Sequence, residues 1–175
     1  YIVLNILYFY YFKKKFIFDF LFLTLFFIIR ILIGSIGSDI EISLWLILCS
    51  FFFFNSLASL KRANEVLKYS KLGSFGKIYT SKHFILLKNI FLYSLFITIL
   101  VFSFYINSST ALSLYKSSIF LWFIPFLLFI FAMVLNNQLV KKEIHDDPTI
   151  HIFMSKKILV ILVFILFFTL LAYTI

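Results

Sequence analysis

Five long apolar runs, separated by short charged stretches, restrict this chain to one kind of fold. Residues 16–33, 43–60, 84–106, 118–136 and 158–175 each approach or exceed the roughly 20 residues that an α-helix needs to cross a bilayer. Residues 1–12 form a sixth run, too short to cross, which reads as the tail of a helix. Only 13% of the 175 residues are charged, 63% are hydrophobic and the mean hydropathy is +1.10. Soluble domains carry about 25% charged residues, and a chain this short cannot hide so much apolar surface from water. The runs are nearly free of Gly and Pro and show no alternation of polar and apolar positions, which favours helices over a barrel. The predicted fold is an all-α, polytopic transmembrane helix bundle in a multi-pass integral membrane protein. No initiator Met and no cleavable signal precede the first run, so the reading expects one part of a longer protein.

The basic residues orient such a bundle. Lys13, Lys14 and Lys15 lie before the first full span, Lys61 to Lys88 carry seven cations, and Lys141, Lys142, Lys156 and Lys157 bound the last loop. Together these are fourteen of the sixteen basic residues, and they fall on one side if every span crosses. The positive-inside rule puts those loops in the cytoplasm and the C-terminus outside, in a cell inner or plasma membrane. The formal charge of +9 is then a topology signal and an affinity for lipid headgroups. Cations that hug membrane ends and form no separate domain argue against nucleic acid as a partner.

Three charged side chains close the second span: Lys61, Arg62 and Glu65. On a helix Glu65 is four residues from Lys61 and three from Arg62, so one acid can hold two cations. Fixed cations at the lip of a membrane cavity suit a phosphate, while a positive-inside anchor with an incidental ion pair is the plainer reading. Asp19 and Arg30 lie inside the first full span, about 16 Å apart along the axis and too distant to pair. Either both face a polar cavity, or Asp19 is tolerated in the first helical turn and Arg30 snorkels outward.

The ordered set Tyr8, Phe12-Lys13, Asp19, Arg30 and Gly34, then Trp45-Leu46-Ile47-Leu48-Cys49 and Lys61-Arg62-x-x-Glu65, resembles the C-terminal half of the UbiA superfamily of membrane prenyltransferases. Within that superfamily it is most similar to the decaprenyl-phosphate phosphoribosyltransferase branch. The Lys13–Asp19, Asp19–Arg30 and Arg30–Gly34 spacings match that branch without a gap. Lys77-Ile78-Tyr79, Pro125 and Asp146-Asp147-Pro148 extend the likeness over nearly the whole chain. Ser155-Lys156-Lys157 departs from the pattern, as do Met133, Asn136 and Asn137 where the branch often carries an arginine.

The resemblance implies about helices four to nine of a nine-helix bundle around a cavity open to the cytoplasm, as one domain over 1–175 whose N-terminal half is missing. It implies a transferase acting on a polyprenyl phosphate or diphosphate lipid, with a phosphorylated small-molecule donor and release of diphosphate. Lys61, Arg62, Lys13 and Tyr79 are then expected to bind phosphate, while Asp19 and Glu65 take the catalytic roles. Mg²⁺ is the implied cofactor, but its aspartate-rich motif belongs to the other half of the family fold and has no match here. No metal ligand is therefore assigned in this chain, and the chain alone is expected to be inactive. An aromatic, quinone-pathway prenyltransferase is disfavoured because no D-x-x-x-D follows the 43–60 span. A non-catalytic membrane protein, or a degenerate relative, is the reading from another class.

The remaining features point to no chemistry. His145 and His151 are six apart, a spacing that suits neither one helix face nor a metal signature. Asp146-Asp147-Pro148 reads as a cap or turn into a short segment before the final span. His83 lies beside Lys82 at a helix entrance and reads as interfacial. Cys49 is the sole cysteine, which rules out an internal disulfide. Gly73-Ser74-Phe75-Gly76 is too short to cradle a phosphate.

Overall fold

A computed structural model describes residues 2–11, 16–38, 41–69, 81–141, 143–144 and 148–175. Every regular element among them is helical: α1 (Ile2–Tyr10), α2 (Phe16–Ser38), α3 (Leu44–Tyr69), α4 (Ser81–Ile106), α5 (Ser109–Leu114), a 3-10 turn (Ser118–Trp122), α6 (Phe123–Val140), α7 (Pro148–Met154) and α8 (Lys156–Thr174). Among the described residues, five stretches are long and apolar enough to cross a membrane: Phe18–Ser38, Leu44–Leu67, His83–Ile106, Ser118–Val140 and Lys156–Thr174. These coincide with the five runs of the sequence. The first continues past 33 because Gly34, Ser35 and Gly37 remain helical, and the second runs on through Lys61–Glu65. Helix geometry satisfies every backbone group locally, so polar side chains at a helix end need not terminate it.

The chain divides within α4 into two compact units, Tyr1–Ser94 and Leu95–Ile175. In the first, α2 and α3 pack along one another. Phe27 of α2 stacks on Phe54 of α3, with ring centroids 4.4 Å apart and planes 5° from parallel. From Asn55 to Val66 nearly every residue of α3 is buried or half-buried, so this stretch is enclosed on more than one face. Asn55 and Ser59 in it are hydrogen-bonded. Asn55 donates from Nδ2 to Ser94 Oγ of α4 at 2.9 Å and accepts from Thr24 Oγ1 of α2 at 3.4 Å. Ser59 returns its hydroxyl to the carbonyls of Asn55 and Ser56. Without water, such groups must find partners within the protein, which makes Asn55 the joint of three helices.

In the second unit α6 and α8 pack together, with Phe123 stacked on Phe168 at 4.5 Å. Ile106, Leu121, Ile124 and Ala172 form its central cluster. Ser108 caps α5 by accepting from the Ala111 amide at 3.3 Å. Pro125 falls in the first turn of α6 and Pro148 opens α7, positions where the missing amide proton costs no helical bond. The short segment expected before the final span is thus a helix.

Candidate functional site

The one dense cluster of charge among the described side chains lies in the first unit, where α1, the start of α2 and the end of α3 meet. Arg62 is placed there by the helical continuation of α3 beyond its apolar stretch. Its guanidinium reaches back to α2 and pairs with Asp19: Nη2 donates to Oδ1 at 2.9 Å, while Nε stands 2.5 Å from Oδ2 as a charge contact without hydrogen-bond geometry. On its other side Nη1 donates to Glu65 Oε2 at 2.5 Å, one helical turn along α3. Tyr8 of α1 completes the group, donating its hydroxyl to Asp19 Oδ1 at 2.5 Å and accepting from Arg62 Nη2 at 3.3 Å. The Tyr8 ring is held edge-on to Phe26, 5.6 Å between centroids, which fixes where its hydroxyl can point.

Burial differs across the cluster. The Asp19 side chain is 1% exposed, whereas those of Arg62 and Glu65 are 12% and 17% exposed. A carboxylate that deep requires charge and hydrogen-bond compensation, and the planar guanidinium fork supplies both. Asp19 lies in the first turn of α2, where the helix dipole also favours an anion. Arg62 is therefore flanked by two carboxylates, so its positive charge is compensated from both sides.

The residues singled out in the sequence fare differently. Asp19, Arg62 and Glu65 come together, and the Arg62–Glu65 pair has the three-residue helical geometry expected of it. Lys61 follows on the same helix and is half-buried. Lys13 and Tyr79 lie outside the described residues, as do His145, Asp146, Asp147 and the Gly73–Gly76 turn. Arg30 is exposed, with its guanidinium 5.4 Å over the Phe27 ring.

Two features escaped the sequence. Tyr8 was visible in the motif without a role, because nothing local links residue 8 to residue 62. The Thr24–Asn55–Ser94 network was missed altogether. Its signal was present, since an Asn directly after four phenylalanines is costly in a span and demands partners.

Magnesium does not suit this cluster. Its two carboxylates are bridged by a guanidinium, whose charge opposes a divalent cation at the same oxygens. Among the described residues, no three His, Cys, Asp or Glu side chains gather as a metal site. No protein-family model matches the chain, and neither curated proteins nor solved structures yield a match.

Proposed function

We propose that the Tyr8–Asp19–Arg62–Glu65 cluster is the phosphate-facing mouth of a membrane transferase of the UbiA type, acting on a polyprenyl phosphate lipid with a phosphorylated small-molecule donor. One observation carries this reading. Four of the residues that carry the resemblance, Tyr8, Asp19, Arg62 and Glu65, lie up to 57 positions apart and converge on one cluster. Asp19 and Glu65 would hold the guanidinium of Arg62 in a fixed plane, and a phosphate presents acceptors that match such a fork. Lys61, adjacent on α3, would add a second cation at the same helix end. In this reading the basic loops face the cytoplasm and the C-terminus lies outside, so that a soluble donor reaches the cluster from the cytoplasm.

The double engagement of Arg62 favours a second reading, in which the cluster is a structural clamp in a non-catalytic membrane protein. A cation already facing two carboxylates has less charge to offer a phosphate. Transfer assays separate the two. Membranes holding the full-length protein, in which this chain is read as one part, are supplied with Mg²⁺, radiolabelled phosphoribosyl diphosphate and polyprenyl phosphate. Label entering the lipid fraction, and lost in Arg62→Ala and Lys61→Ala proteins that still insert, supports phosphoribosyl transfer. Activity only with a polyprenyl diphosphate and an aromatic acid moves the assignment to the aromatic branch. Silence with both substrate pairs overturns the enzyme reading and leaves the clamp.

A further inference from the structure

The short helix α7 is built inside out for a helix in water. A surface helix normally turns apolar residues inward and polar ones to solvent. In α7 the polar His151 is buried, together with Ile152, while Ile150, Phe153 and Met154 are exposed, Phe153 at 72%. Positions 150, 153 and 154 are spaced three and four apart, so they form one outward stripe.

The inward face is pinned by hydrogen bonds. His151 Nε2 lies 2.9 Å from Gln138 Oε1 on α6, and Gln138 Nε2 donates to Ser155 Oγ at 3.1 Å. With its amide nitrogen spent on Ser155, Gln138 turns its oxygen to the ring, so His151 is the donor at Nε2. The Ser155 amide donates to the His151 carbonyl at 2.9 Å, joining α7 directly to α8. These bonds decide which face of α7 points outward.

They also decide its depth. Gln138 is three residues, about 4.5 Å along the axis, from the exposed Lys141 that follows α6. Lys156 and Lys157, both exposed, open α8. Lysines at these places mark where two packed spans leave the apolar layer, because their ammonium groups seek the headgroups. An apolar stripe held at that level meets the leaflet.

We propose that α7 is an interfacial helix lying in the bilayer surface, with Ile150, Phe153 and Met154 seated at the boundary between headgroups and acyl chains of a phospholipid leaflet. Its occupant is lipid, and its polar face belongs to the bundle.

Site-directed spin labelling of the protein in phospholipid vesicles tests this. In a Cys49→Ala background, labels are placed by Ile150→Cys, Phe153→Cys and Met154→Cys, with Lys141→Cys as the headgroup reference and Val163→Cys as the mid-span one. Collision rates are measured with oxygen, which partitions into lipid, and with a nickel chelate, which stays in water. The expected oxygen-to-nickel ratio at 153 and 154 is several-fold above that at 141, with high absolute oxygen collision. A ratio equal to or below that at 141 puts the stripe in water and overturns the proposal. Low collision with both reagents means that protein covers it, whether a second copy or another segment, and overturns it equally. Three independent label sites keep the test standing if one variant misfolds.

Discussion

The Arg62–Asp19 pair places two opposite charges in contact inside the bundle, with the Asp19 side chain 1% exposed. At 2.5 Å, and with an effective dielectric constant of about 20, the Coulomb attraction is about 7 kcal/mol before solvation is counted. Desolvating two ions returns much of that, so the pair as a whole adds little net stability. Breaking it is another matter. Arg62→Gln leaves the 1%-exposed Asp19 carboxylate without the guanidinium, and an uncompensated buried charge costs about 3–5 kcal/mol. Glu65 suffers less, being more exposed and one turn from Lys61. Asp19→Asn alone strands a cation that keeps Glu65, so its cost should be the smaller of the two. The double variant Asp19→Asn/Arg62→Gln removes both charges and should recover at least about 2 kcal/mol relative to the sum of the singles. Reversible unfolding in mixed micelles measures all four proteins. An Arg62→Gln protein within about 0.5 kcal/mol of the parent, or a coupling energy near zero, refutes the claim that the pair compensates a buried charge. Arg62→Lys refines it: a point charge cannot span both oxygens, so partial loss is expected rather than rescue.

Asn55→Leu conserves volume while deleting the bonds to Thr24 and Ser94, and should cost about 0.5–2 kcal/mol in the same unfolding assay; unchanged stability would show that the joint carries no energy. Gly34→Ala should stabilise by up to about 1 kcal/mol, because an added Cβ meets nothing within 4 Å and the helix gains propensity; a loss would reveal a neighbour packed on that face. Gln138→Leu removes the acceptor of His151 and the donor to Ser155, at a cost of about 1–3 kcal/mol. Hydrogen exchange at 150–154 should accelerate in that variant, and unchanged protection would mean that packing alone holds α7.

The elements that were legible in the sequence were those set by local patterning. Apolar runs of sufficient length without polar–apolar alternation make helices, because a helix satisfies its own backbone polar groups in lipid and the only other solution, a closed barrel, needs that alternation. The Arg62–Glu65 contact was equally local, since residues three apart on a helix are neighbours wherever it packs. Asp19 could be marked as costly in a span, but whether a partner or the helix end relieved that cost was not written in α2.

Tertiary structure made the remaining choices. It brought α3 against the start of α2, so that Arg62 rather than Arg30 faces Asp19, and it turned Arg30 outward over Phe27. It joined Asn55 to Ser94 across 39 residues and turned the polar side of α7 inward onto Gln138. The physical reason is the same in each case. Hydrophobicity fixes how many long helices the described chain forms and roughly where they end, but in these nearly uniform apolar spans it does not distinguish one helix face from another. That distinction is made by a few polar side chains whose partners lie on other helices, and only packing brings the partners within reach.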